Sequence, residues 1–306
     1  MNLSPKNQQN LYGLEKIFDE FVELYENKKL PSKILLSGQK GIGKSTLSYH
    51  LINYILSKSE EYAYDVHKHL INEQNHSFKL ILNGSNPNFF LIDVKPDKKF
   101  IEINQIRILI EKLNKSSFNE KPKLVLIDNI EYLNINSSNA LLKCLEEPGE
   151  NIHFFLIKNN KKTLDTLSSR CMNYKISLSY KQVIEISNRL LKNDIHEFIN
   201  IDLLNYYITP GKIYDLVQFC NEYKIDLKNL DLENFLNIII DNFYFKKNSP
   251  IKYMIYDFVE LFLKKKISVK NYELFSYFLK KIENTHKFNL DEESLFLELK
   301  AKLING

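Results

Sequence analysis

One octapeptide carries the clearest chemical signal in this sequence. Gly38-Gln39-Lys40-Gly41-Ile42-Gly43-Lys44-Ser45 matches the pattern G-x-x-x-x-G-K-[ST], and Thr46 follows it. Glycines at these spacings permit a tight turn whose backbone N–H groups surround a phosphate, while the lysine reaches the terminal phosphates and the serine hydroxyl ligates Mg²⁺. We therefore predict that ATP and Mg²⁺ bind at Gly38, Gly41, Gly43, Lys44, Ser45 and Thr46. The alternative is a glycine-rich turn without a ligand.

An acidic residue at the end of a neighbouring strand is the usual companion of such a loop. Asp128 closes the apolar run Lys123–Ile127, so we expect it to hold Mg²⁺ together with Ser45. The next position, where many motor ATPases have a glutamate that activates water, is Asn129. Because an amide cannot act as a general base, the sequence supports nucleotide binding more than hydrolysis. Glu131 is the nearest carboxylate after Asp128, and the sequence leaves its direction open.

The elements that position these residues alternate between strand and helix patterns over residues 1–177. This alternation predicts an α/β fold with a mainly parallel sheet. Five strands are expected, at residues 33–37, 89–94, 123–128, 152–157 and 172–177. Helices are expected after the glycine-rich loop, from Glu102, and from a cap at Asn136 or Ser137.

After residue 177 the strand pattern ends and helical spacing continues. Residues 178–226 read as a small helical domain, interrupted by Thr209-Pro210-Gly211. Residues 227–306 contain four longer helical patterns, and their Phe and Tyr side chains are expected to form the core of a bundle. These patterns lie at residues 232–245, 251–266, 269–287 and 290–304, with a turn at 246–250. We predict three domains, 1–177, 178–226 and 227–306.

Composition narrows the class of protein further. Lys and Arg number 42 against 38 Asp and Glu, giving a formal net charge of +4, which allows nucleic-acid contact without requiring it. The three cysteines are scattered, so we do not expect a disulfide framework. We expect the protein to occupy a reducing compartment. Neither a signal peptide nor a membrane span is visible, and a cytoplasmic protein is expected.

A second set of motifs resembles a known family. Asn139–Pro148 reads NALLKCLEEP, the run IHFFLIKNN begins at Ile152, and Ser169-Arg170-Cys171 follows. Together they resemble the AAA+ clamp-loader subunits of bacterial DNA polymerase III, over about residues 30–177. Within that family the chain is more similar to the delta-prime type than to the gamma/tau motor, because Asn129 replaces the glutamate and the chain is short.

The resemblance implies roles for three further residues. Arg170 matches the arginine finger that acts on ATP held by a neighbouring subunit. Asn159 matches the sensor position that reads the γ-phosphate, and Lys212 matches the second sensor in the lid, where arginine is more usual. Each residue has an alternative interpretation. Arg170 could form a structural ion pair, Asn159 could simply form a loop, and Lys212 could simply mark the start of a helix. Glu146 and Glu147 lie at a helix end and are interpreted as solvated or interfacial.

The resemblance also suggests where this chain departs from its family. Many members carry a four-cysteine zinc module between the first helix and the second strand, but residues 60–88 contain no cysteine, so no zinc is expected. His67, His69 and His76 in this segment are interpreted as solvated rather than as metal ligands.

The family implies an α/β AAA+ domain, a small helical lid and a C-terminal helical collar. Its partners would be the delta and gamma/tau subunits, the sliding clamp, and primer–template DNA through the assembly. We expect a delta-prime-type subunit that binds ATP with weak or no hydrolysis and supplies Arg170 in trans. The alternatives are a hydrolysing gamma/tau-like motor using Glu131 or another carboxylate, and a nucleotide-independent scaffold. A P-loop kinase for a small metabolite fits poorly, because it gives no role to Ser169-Arg170-Cys171.

Overall fold

The protein is described by a computed structural model covering residues 4–96, 98–115, 119–147, 149, 151–159, 165–204, 208–246, 251–266, 272–288 and 290–304. It divides into two compact units, residues 1–179 and 180–306. The predicted domain 1–177 lies within the first unit and stays a prediction. The further division at residue 226 stays a prediction.

The first unit contains a sheet of five parallel strands in the order β2-β3-β4-β1-β5. The strands are β1 (Lys33–Ser37), β2 (Phe89–Ile92), β3 (Lys123–Ile127), β4 (Ile152–Lys158) and β5 (Met172–Lys175). The predicted α/β fold with five strands is confirmed. Because parallel strands share one carboxyl edge, the segments that follow β1 to β4 meet there.

Helices cover both faces of this sheet. They are α1 (Glu15–Glu26), α2 (Lys44–Ser57), α3 (His76–Leu82), α4 (Ile103–Leu113), α5 (Ile135–Glu146) and α6 (Asp165–Ser168). Side chains alternate along the strands, so Ile34 and Leu36 pack on the face of α1 to α3, while Leu35 packs on the face of α4 to α6. The buried side chains of both cores are at most 8% exposed, as expected for a parallel sheet covered on two sides.

Two helix starts in this unit are fixed by side-chain caps. Glu102 and Gln105 form a reciprocal capping box at α4, as the predicted start at Glu102 requires. The cap of α5 is Asn134, whose side chain accepts from the backbone N–H of Ser137 at 2.8 Å. The prediction of a cap at Asn136 or Ser137 is therefore wrong. The helix starts earlier because Asn134 can close the first turn.

The second unit is helical. Its elements are α7 (Tyr180–Leu191), α8 (Ile195–Phe198), α9 (Pro210–Tyr223), α10 (Leu232–Asp241), α11 (Ile251–Lys266), α12 (Tyr272–Phe288) and α13 (Glu292–Leu299). The phenylalanine part of the predicted core is confirmed, because the fully buried large side chains include Phe235, Phe258, Phe275, Phe278 and Phe296. The tyrosine part is wrong for Tyr272 and Tyr277, which are exposed. Residues 247–250 of the predicted turn and 269–271 of the predicted third helix lie outside the described residues.

Across the described part of the chain, no helix is long and apolar enough to cross a membrane. The cytoplasmic location stays a prediction.

Candidate nucleotide-binding site

The glycine-rich loop joins β1 to α2 through backbone conformations that favour glycine. The φ angles of Gly38, Gly41 and Gly43 are 152°, 86° and 96°. At Gly38 a side chain would also collide with the backbone, since an added Cβ atom would lie 2.3 Å from the carbonyl oxygen of Ile176. The loop therefore needs glycine for conformation at three positions and for space at one.

Lys44 is the first residue of α2, and its ammonium is turned into the loop. Its Nζ atom donates to the carbonyl oxygens of Gly38 at 3.0 Å and Gln39 at 2.5 Å, and to Oδ1 of Asn159 at 3.0 Å. The residue is only 3% exposed. Burial lowers the pKa of Lys44 to about 8, against the opposing effect of the Asp128 and Glu131 carboxylates. A charge held at this cost is typical of a group that meets an anionic ligand.

Ser45 and Asp128 form the predicted pair. The Ser45 hydroxyl donates to Oδ2 of Asp128 at 2.6 Å. Burial raises the pKa of Asp128 to about 6, although the bond from Ser45 favours the charged form. A hydroxyl oxygen beside a carboxylate, next to a phosphate-binding loop, is a donor set that suits Mg²⁺ held together with a nucleotide. The residues present thus fit Mg·ATP, and Thr46 follows them, partly exposed, in the first turn of α2.

A row of polar side chains continues the site along the carboxyl edge of the sheet. Asn159, which follows β4, donates through Nδ2 to Oδ1 of Asn129 at 2.9 Å and to Oε1 of Glu131 at 2.9 Å. Asn129, which follows Asp128, donates in turn through Nδ2 to Oδ1 of Asp93 at 2.9 Å. The row Asp93–Asn129–Asn159–Lys44 therefore links the ends of β2, β3 and β4 to the glycine-rich loop.

Parts of this row were missed by reasoning from sequence. Asp93 is not among the predicted site residues, because the predicted strand 89–94 contains it. The observed strand ends at Ile92, which leaves Asp93 at the carboxyl edge of the sheet. The direction of Glu131 was open, and the structure turns its carboxylate toward Asn159. Asn129 was recognised only as a missing base, whereas it is a link between two neighbours.

Arg170 lies between α6 and β5, at the first unit's surface. Its Nε and Nη2 atoms donate to Oε1 of Glu146 at 2.9 and 2.7 Å, and Nη1 donates to the carbonyl oxygen of Thr166 at 3.0 Å. Glu146 is thus an ion-pair partner rather than a solely solvated group. The ion pair is partly exposed, with 36% of the Arg170 side chain accessible. The action of Arg170 on a neighbouring subunit stays a prediction.

Lys212 belongs to the second unit, in the first turn of α9. Thr209 caps this helix, accepting from the backbone N–H of Lys212 at 3.4 Å. The Lys212 ammonium forms an ion pair with Asp257 of α11 at 2.6 Å. Its predicted sensor role stays a prediction.

The histidines of residues 60–88 differ from one another. His67 and His76 are exposed, as predicted. His69 is not solvated: its Nε2 atom pairs with Oδ1 of Asp19 at 2.8 Å, and its ring packs on Phe18. Within the described ranges, no group of three or more His, Cys, Asp or Glu side chains could hold a metal ion. The absence of zinc stays a prediction.

Comparison with known proteins places this site in a family. The model of the family described as "DNA polymerase III, delta subunit" matches residues 13–179, more than half of the chain. The delta' subunit of DNA polymerase III from Buchnera aphidicola subsp. Schizaphis graminum is 30% identical over 169 residues, covering 54% of this chain and 48% of that protein. The gamma subunit from the same organism is 26% identical over 196 residues, covering 63% and 52%.

A solved structure is also similar. A DNA polymerase III gamma-subunit-related protein from Thermotoga maritima aligns over 94% of this chain and 96% of that chain, with 18% identity and a TM-score of 0.49. The chain spans about half the length of the curated relatives it matches. From the match over residues 13–179, which includes the glycine-rich loop and its carboxyl-edge neighbours, this chain belongs to the DNA polymerase III delta-subunit family and is of the delta-prime type.

Proposed function

We propose that this chain serves as a delta-prime-type subunit of the DNA polymerase III clamp loader and binds Mg·ATP with little or no hydrolysis of its own. The observation that carries the proposal is the engagement of Asn129 and Glu131, the two polar side chains among the three residues that follow Asp128. Asn129 is committed to Asp93 and Asn159, and both carboxylate oxygens of Glu131 accept from Asn159. None of these groups is an unengaged base that could activate water.

The binding half of the proposal depends on the loop. Backbone N–H groups of the glycine-rich loop and the N-terminus of α2 would surround the phosphates, and Lys44 would exchange its loop carbonyls for phosphate oxygens. Ser45 and Asp128 would hold the Mg²⁺ ion, which would neutralise phosphate charge when bound. Asn159 occupies the first sensor position, where Asn129 and Glu131 hold both of its side-chain donors. The sensor role of Lys212 remains part of the proposal.

The assembly half of the proposal depends on family membership. Relatives of this chain are subunits of DNA polymerase III, so we propose delta and gamma/tau subunits as its partners, with the sliding clamp and primer–template DNA reached through the assembly. Arg170 would act in trans on ATP bound by a neighbour. Three of its five N–H groups donate to Glu146 and Thr166, and among the described residues no acceptor is recorded for the remaining one on each terminal nitrogen. Two such groups can fork onto the oxygens of one phosphate.

One observation favours a second function. Glu131 lies in the site, three positions after the expected magnesium ligand Asp128, and its carboxylate affects the pKa of Lys44. If Glu131 were to leave Asn159 when nucleotide binds, it could orient water, as a gamma/tau-like motor requires.

Binding and turnover of Mg·ATP by the purified chain separate these functions. We expect binding that Lys44→Ala abolishes and Lys40→Ala retains, with negligible turnover. Steady turnover that Lys44→Ala abolishes would establish the motor, and absence of binding would favour the scaffold. In the reconstituted assembly, Arg170→Ala should slow ATP hydrolysis about 10³-fold or more, as for other arginine fingers. Arg189→Ala, an exposed arginine of α7, is the matched control.

A further inference from the structure

Both side-chain donors of Asn159 are used. Both hydrogens of Nδ2 are donated, one to Asn129 and one to Glu131, each at 2.9 Å. Its Oδ1 atom accepts from the Lys44 ammonium at 3.0 Å. The backbone N–H of Asn159 also donates to Glu131, at 3.3 Å, so Glu131 binds this residue through both carboxylate oxygens.

Charge fixes this orientation of the amide. A carboxylate only accepts and an ammonium only donates, so the Asn159 amide must turn its NH₂ group to Glu131 and its oxygen to Lys44. The reversed amide would place an oxygen against the carboxylate and an NH₂ group against the ammonium. Asn159 is only 9% exposed, so water is a poor substitute for either partner.

This arrangement has a consequence for nucleotide selection. A γ-phosphate offers only acceptor oxygens, so an asparagine recognises it by donating from Nδ2. In this site a new bond to phosphate requires the loss of the bond to Glu131 or Asn129. Since the bond to Glu131 is itself made to a charged acceptor, the exchange gains little.

We propose that Glu131 is a positioning residue that holds Asn159 as an acceptor for Lys44 and thereby suppresses selection of ATP over ADP. The proposal depends on the nucleotide binding proposed above and specifies its selectivity. In Glu131→Gln the charge is lost and one amide oxygen replaces two carboxylate acceptors, so either the backbone N–H or Nδ2 of Asn159 loses its bond. Any bond that Nδ2 keeps is then to a neutral oxygen, and exchanging it for a bond to the charged γ-phosphate is favourable. One hydrogen bond to a charged acceptor then raises the ratio of ATP to ADP affinity by about tenfold.

Calorimetric titration with Mg·ADP and with a Mg-bound non-hydrolysable ATP analogue tests this proposal. The ratio of the two affinities is measured on one preparation, so a fraction of unfolded variant does not alter it. We expect a ratio within about threefold of unity for the wild type and for Glu111→Gln, an exposed control on α4. Glu131→Gln should show the tenfold rise, and the double variant Glu131→Gln/Asn159→Ala should lose it, because the gain passes through Asn159.

Three outcomes would overturn the proposal. A wild-type preference for the ATP analogue of tenfold or more, unchanged in Glu131→Gln, would show that Asn159 already reads the γ-phosphate. A rise that persists in the double variant would mean that Glu131 acts by another route. If the wild type binds neither nucleotide, the proposed function fails as well, whereas the first two outcomes leave nucleotide binding intact.

Discussion

Replacing Lys44 by methionine should separate the stability of this protein from its function. Burial lowers the pKa of the ammonium from 10.5 to about 8. Since one pKa unit corresponds to about 1.4 kcal/mol, the buried charge costs the free fold roughly 3 kcal/mol at pH 7. Methionine removes this cost but takes the donor from Oδ1 of buried Asn159, which costs about 1–3 kcal/mol. The carbonyl oxygens of Gly38 and Gln39 also lose this donor, but both residues are partly exposed and water can replace it. We therefore expect Lys44→Met to be as stable as the wild type, or about 1–2 kcal/mol more stable.

Nucleotide should reverse the order of stability. Ligand at a hundred times its Kd stabilises the wild type by about 2.7 kcal/mol, and Lys44→Met should gain none of this. Urea unfolding followed by circular dichroism, with and without Mg·ATP, measures both effects. Lys40→Met is the matched control, since Lys40 is an exposed lysine of the same loop, and it should keep the nucleotide effect.

The same reasoning predicts a pH dependence. The pKa of Lys44 is lower in the folded chain than in the unfolded chain, so between about pH 8 and pH 10.5 the unfolded chain binds more protons. Wild-type stability should therefore rise by roughly 3 kcal/mol through this window relative to Lys44→Met, which is enough to make the wild type the more stable protein above it. A loss of more than about 1 kcal/mol in Lys44→Met at pH 7 would refute the reasoning, because the ammonium would then be a net structural support.

Two further predictions concern the loop and its acidic partner. In urea titrations, Gly38→Ala should lower the free energy of unfolding by about 1–3 kcal/mol more than Gly84→Ala. Both glycines have positive φ, but only Gly38 faces a carbonyl group, that of Ile176. Equal losses in the two variants would contradict the clash. The affinity for Mg·ADP should fall about tenfold more between pH 7 and pH 5 in the wild type than in Asp128→Asn, because the Asp128 pKa is about 6 and only its ionised form binds Mg²⁺ strongly. Calorimetry at three pH values measures this, with titration of the nucleotide common to both proteins, and parallel profiles would count against it.

Most of the fold could be predicted because its signals are local. Buried parallel strands are continuous apolar runs, and all five were found within a few residues of their observed ends. The ends differ in an informative way: Asp93, Val94 and Asp128 fall outside the strands predicted to contain them. Strand pairing ends at Ile92 in β2 and at Ile127 in β3, directly before the polar residues that line the carboxyl edge. The pattern of apolar residues does not show where pairing ends.

Three helices of the first unit, α1, α3 and the four-residue α6, were not predicted, and the reasons for α1 and α3 differ. In α1, Ile17, Phe18, Phe21 and Val22 recur at helical spacing, so the signal was present in the sequence before the glycine-rich loop. The shorter α3 has only seven residues and depends on Asn75, whose side chain caps it and also accepts from Asn53 of α2. A helix this short is stabilised by its tertiary contacts, which its own sequence does not display.

Some residues of the site can be recognised from the sequence around them, and others only from their partners in the fold. Gly38–Thr46 and Asp128 could be named because their spacing in the chain is their signature. From the sequence, Asn129 could be recognised only as the residue that replaces a catalytic glutamate. The role of an asparagine depends on its hydrogen-bond partners, which the sequence does not show. Its amide is oriented by Asp93, a residue 36 positions away, and it helps orient Asn159, 30 positions away. The chemistry of this edge is therefore a property of the row, in which two carboxylates and one ammonium determine how each amide faces.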